Sequence, residues 1–331
     1  TTFGVANVQN IAEWANYAEL DMHPNIGLSV NFGLRVWTFV TNTKTYVRPE
    51  PRLIISQLLE GKKRIQLGFS VANQGLNQLS SVNGSLPRDV WFPSSASFRP
   101  QRTTQISCAY LFPLATGVEF SAEGYYKWFD GITDLTGVEE DPFVKDFWER
   151  SIVQGTGRAR GFEAMITKKT GSGTGLLSYT YSKTERTFEF INDGKPFDYR
   201  WDRPHQLKAQ FTWQAQTWLT INMSGMLMSG NVYTVPTGQY LTTDNKLVFD
   251  YSRKNNYRMP MYKRLDIGFT KEIKPYYNRG YREFWGLQVY NVLGSINPIN
   301  ARWEVNTAGK LVLTGTTPFV FIPSGFYRLE F

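Results

Sequence analysis

The polar cluster best equipped for chemistry is WDRPHQ, which sets Asp202, Arg203 and His205 within a few residues of one another. An aspartate and a histidine so close suit general acid–base work of the kind a hydrolase needs. No GxSxG or HExxH accompanies them, and the other histidine, His23, sits in a short turn. No catalytic residue is therefore assigned. The cluster reads as a polar network where a long connection meets a strand. Two glycine-rich stretches, GTGRARG at 155–161 and GSGTG at 171–175, lack the Lys-Ser/Thr and the following helix that phosphate loops need. The second reads as a tight turn, and the first as small residues where a strand is crowded.

Metal and cofactor chemistry find equally little support. DGITDLTGVEEDPFVKDFWER carries Asp130, Asp134, Glu139, Glu140, Asp141 and Asp146, but not the DxDxDG spacing of a calcium loop. It reads as a solvated loop, and no metal or cofactor is expected. Cys108 is the lone cysteine, which rules out a disulfide framework, and it shares a face with Ile106, Tyr110 and Phe112 as a small hydrophobe. In DVWFP, Trp91 and Phe92 place two aromatics in a connection, where they either stack on a ligand or pack loop on loop; packing is preferred. The net charge of +8 comes from basic residues scattered in GKKR, TKK, YSRKNNYR and YNRGYR, mostly beside turns. That dispersion suits solubility and snorkelling flanks rather than a nucleic-acid surface.

The elements that must position these residues are strands. Fifteen per cent of the 331 residues are aromatic, yet the mean hydropathy is −0.35. Strands that expose only a thin apolar band need that combination. No run approaches the length of apolar residues a transmembrane helix requires. In GVEFSAEGYYKWF, Val118, Phe120, Ala122, Tyr126 and Trp128 take one face and Glu119, Glu123 and Lys127 the other. RLDIGFTKEI sets Leu265, Ile267 and Phe269 against Arg264 and Asp266. The chain ends on PSGFYRLEF, where Tyr327, Leu329 and Phe331 oppose Arg328 and Glu330.

About thirteen such strands are expected, near 11–20, 26–40, 51–59, 64–76, 102–112, 117–128, 157–169, 174–184, 203–214, 216–229, 262–273, 282–293 and 322–331. Many run to about ten residues, which is what a tilted strand needs to cross a bilayer. Short links alternate with long ones at 41–50, 77–101, 129–156, 185–202, 230–261 and 294–321. One rim then carries tight turns and the other large loops, the pattern of an outer-membrane barrel with periplasmic turns. Single-chain bacterial barrels have even strand numbers and an open edge cannot face lipid, so an odd count means either one strand more than these or a chain that is part of a larger barrel. With Thr1 in place of Met, a partial chain is the simpler expectation. The polar face then lines a lumen, with Glu119, Glu123, Lys127, Glu163, Arg264, Asp266, Arg328 and Glu330 as candidates for contact with a plug or a substrate.

Several stretches together resemble the C-terminal part of a TonB-dependent outer-membrane receptor of the sort common in Bacteroidota. They are YVRPEPRLIIS with FSVANQGLNQLS, LPRDVWFPSSASFRPQRTTQIS, SAEGYYKWFDGITDL, GTGRARGFEAMITKKTGSGTGLLSYTYSKTER, FDYRWDRPHQL and LQVYNVLGSINP. NVLG at 291–294 departs from the NlfN of that family. The resemblance implies a barrel of about 22 strands around a plug, of which residues 1–331 supply the last thirteen or so and not the plug. It implies uptake of a scarce solute (siderophore, corrinoid, peptide or glycan) driven by the TonB–ExbB–ExbD complex, with no enzymatic step. The implied partners are outer-membrane lipid and lipopolysaccharide and the barrel-assembly machinery, which would read the terminal Phe331. A surface lipoprotein lid is left open. The alternatives are a passive porin or structural barrel, and a soluble aromatic-rich β protein that binds carbohydrate.

Overall fold

The structure is a computed structural model that describes residues 10–80, 89–135, 152–243, 247–273, 281–298, 300–307, 311–317 and 319–331. Thirteen long antiparallel strands follow one another in chain order: β1 Ile11–Asn25, β2 Leu28–Thr41, β3 Thr45–Leu59, β4 Lys63–Gln74, β5 Gln101–Ala115, β6 Val118–Leu135, β7 Ile152–Lys168, β8 Gly173–Thr187, β9 His205–Gln216, β10 Leu219–Met228, β11 Tyr262–Ile273, β12 Arg282–Tyr290 and β13 Ile322–Glu330. Each pairs with its sequence neighbours, and the short strand Phe197–Asp198 adds to β8. Among the described residues β1 and β13 are the sheet's two free edges.

Register confirms the parity. Phe120 stands opposite Phe112 and Ile166, Leu177 opposite Ile166 and Ala209, and Ile267 opposite Met223 and Val289. These apolar residues line one face in continuous rows, and many large ones on it are exposed, including Trp14, Phe32, Leu67, Ile106, Phe162, Phe211 and Leu287. A face that oily is left open in a water-soluble sheet only as a contact surface. Cys108 belongs to it, opposite Leu67 and Gly124.

The turn rim is tight. Asn25 pairs with Leu28 across Ile26–Gly27, and Ala115 with Val118 across Thr116–Gly117. Gly27 and Gly117 take φ of 89° and 73°, which favour glycine. The first turn falls later than the sequence placed it, because β1 runs on through DMHP to Asn25.

The loop rim departs further from expectation. The connection at 41–50 is short, since β3 begins at Thr45 and includes Pro49 and Pro51. Two prolines argue against a strand interior because they cannot donate to a ladder. Here the β3–β4 ladder stops at Arg52–Ser70, and beyond it the Asn73 N–H donates to the buried Glu50 carboxylate at 2.6 Å. The prolines lie where no ladder with β4 is needed. Three of the other long connections carry hairpins: Leu76–Ser80 with Asp89–Pro93, Val232–Tyr233 with Tyr257–Arg258 and Gly238–Leu241 with Leu247–Asp250, and Asn300–Val305 with Leu311–Thr316. Glu139, Glu140, Asp141 and Asp146 lie outside the described residues.

Small buried clusters sit at the loop rim rather than in one core. Trp37 and Phe39 stack at 5.5 Å with Tyr46 beside them, and Trp37 donates its indole N–H to Glu13 at 2.7 Å. Ile132, Phe188, Ile191 and Phe197 form a second cluster, and Phe92, Phe98 and Ile152 a third.

Candidate functional site: the polar face and the loop rim

The polar face divides the sequence candidates into three neighbourhoods and gathers them into no single site. On β6 and β7, Glu123 stands directly opposite Glu163, and neither makes a hydrogen bond or ion pair with a described residue. Lys127 lies two repeats of the pleat further on, its ammonium 5.0 Å from the centre of the intervening Tyr125 ring. Glu119, near the turn rim, is held by Lys169 at 2.6 Å. On β11, Arg264 clamps Asp266 through Nε at 2.9 Å and lies 4.0 Å over the Tyr290 ring. The Asn291 N–H donates to the same carboxylate at 2.9 Å. At the turn rim of β13, Glu330 meets Arg328 at 3.1 Å and Arg282 at 3.7 Å, and Arg328 covers the Phe284 ring at 4.5 Å. Charges so paired are lining rather than reactive groups; Glu123 and Glu163 are the exception.

Asp202 and His205 do not form the acid–base pair their spacing allowed. Asp202 lies in the turn before β9, where its N–H donates to the Tyr199 carbonyl at 2.8 Å. Its buried carboxylate accepts from the Thr184 N–H and from Arg258, both at 2.7 Å. His205 is the first residue of β9, and parity sends it to the apolar face, opposite Tyr181. There its Nδ1 meets the Tyr179 hydroxyl at 2.8 Å. The two side chains serve different faces.

Trp91 and Phe92 also part company. They lie on a short strand rather than in a loop, so neighbours point opposite ways. Phe92 is buried edge-on against Phe98 at 5.8 Å, whereas Trp91 is 57% exposed at the loop rim. Phe331 extends the apolar face of β13, almost wholly exposed, with the Tyr281 ring 6.0 Å away.

The densest network includes Asp202, whose cluster the sequence suggested was a polar network where a long connection meets a strand; its cationic partner Arg258 was not foreseen. Arg258 donates to the carbonyls of Asp202 at 2.6 Å and Gly230 at 3.0 Å, and to the carboxylates of Asp202 and Asp198. Asp198 also takes Lys183, and Lys254 takes Asp134. Asn192 exchanges two hydrogen bonds with the backbone of Lys254. The loop at 229–261 is thereby fastened to 188–204 and to the end of β6. Both Arg258 and Lys254 come from YSRKNNYR, which the sequence suggested was a solubilising run. A small cleft beside this network is lined by Arg203, Asn231, Tyr233, Met259, Tyr262 and Asn297. Arg203 donates there only to neutral partners, Asn231 and the Met228 sulfur, and burial pulls its guanidinium below its ordinary pKa. Nothing among the described residues groups ligands for a metal ion.

No protein-family model matches the chain, and no curated protein is similar to it in sequence. Solved structures are similar in fold. The ferripyoverdine receptor of the Pseudomonas aeruginosa outer membrane, bound to ferripyoverdine, superposes over 97% of this chain and 39% of its own, with a TM-score of 0.62 and 10% identity. The ferric-catecholate import receptor Fiu of Escherichia coli K12 does so over 97% and 45%, with a TM-score of 0.61 and 13% identity. The FrpB iron transporter of Neisseria meningitidis covers 97% and 46%, with a TM-score of 0.59 and 12% identity. The chain thus spans less than half the length of each of these neighbours, which are receptors and transporters and not enzymes. Its fold is that of the barrel of these outer-membrane receptors, one antiparallel β-sheet.

Proposed function

We propose that residues 1–331 are the C-terminal portion of the barrel of an active transporter. It would capture a scarce solute at the cell surface and release it inward when the TonB–ExbB–ExbD complex rearranges a plug. The reading rests above all on one observation. A thirteen-strand sheet, apolar on one face and polar on the other, keeps two free edges yet overlays receptor barrels along nearly its whole length. Free strand edges are not tolerated in lipid, so further strands must close the sheet, to about 22 in a barrel of this class.

In this reading the chain breaks no bonds. The fastened loops around Arg258 hold a fixed outer vestibule, and exposed Trp91 and the Arg203 cleft are surfaces a solute meets first. Glu123 and Glu163, left without counter-ions, are the polar-face groups with spare capacity for a plug or a passing solute. The solute is a siderophore, corrinoid, peptide or glycan. The neighbours' iron chelates make a ferric siderophore the first to try. The barrel-assembly machinery would read Phe331, and a surface lipoprotein lid would suit a glycan or peptide.

The test is uptake of each solute class, in labelled form, by cells with and without the intact gene. Loss of one class on deletion, reproduced by removing TonB or collapsing the proton gradient, is the expected result. Uptake that survives both TonB loss and a protonophore would instead make the barrel a passive pore.

A further inference from the structure

We draw no further inference here: the strongest candidate, the facing carboxylates Glu123 and Glu163 on the polar face of β6 and β7, is an acidic pair with no bound ion and no buried unpartnered side chain beside it to name a ligand, and it belongs to the plug or solute contact already proposed.

Discussion

Arg258 shows why the loop-rim network escaped the sequence. Its partners Asp198 and Asp202 lie 60 and 56 residues away, and nothing in YSRKNNYR distinguishes a spent cation from a solvated one. Removing it strands a buried carboxylate, which costs about 3 kcal/mol. Arg258→Ala should therefore loosen the loops, seen as faster proteolysis at 188–204 and a lower unfolding temperature, while Lys195→Ala, at an exposed pair, should do neither. Asp202 and His205 make the converse case. Their closeness in sequence suggested cooperation, but the turn ending at Asp202 and the parity of β9 send them to different partners. A double-mutant cycle between Asp202→Asn and His205→Ala should give a coupling under about 0.5 kcal/mol. A coupling several times larger would restore the pair.

The strands were far more legible, because period two along ten or more residues has few competing explanations. All thirteen were visible from residues such as Val118, Phe120 and Trp128, and their boundaries shifted by only a few positions, apart from the larger extensions of β1, β3, β6 and β7. Those shifts have local causes: prolines hid the start of β3, and a bulge between Asp130 and Ile132 let β6 run on to Leu135. The loop hairpins were hidden because their strands are only two to six residues long, too short for a period to show, although Phe92 and Val232 are buried in them. Two substitutions test the element scale. Leu177→Arg, on the apolar face of β8, should cost about 2–4 kcal/mol in a bilayer, whereas Thr180→Arg, on the opposite face of the same strand, should cost little. Denaturant titration of barrels in vesicles reads both. At Gly286 an added Cβ would come within 2.0 Å of the Phe326 ring. Gly286→Val should displace that ring and weaken the β12–β13 pairing, lowering the yield of folded barrel; Gly286→Val combined with Phe326→Ala should recover part of it.

At the scale of the whole molecule, two faces of opposite character and a rim of tight turns were readable in the sequence, whereas the other rim was read only in part, since the connection expected at 41–50 is short. Which polar-face residues act together was not readable, because parity assigns a face but not a height or a neighbour. Only register brought Glu123 opposite Glu163 and kept Arg264 and Arg328 in separate neighbourhoods. The measurement that bears most directly on the membrane-spanning sheet is a spin-label scan along β6. Single cysteines would be placed in turn from 118 to 128 in a Cys108→Ser background, with the full-length protein in bilayers. Oxygen and a water-soluble nickel chelate would serve as collision partners. The predicted result is alternation: positions 118, 120, 122, 126 and 128 favour oxygen, and 119, 121, 123, 125 and 127 favour the chelate or neither. Access of the chelate to both sets alike would contradict a lipid-facing sheet and return the chain to the soluble β proteins.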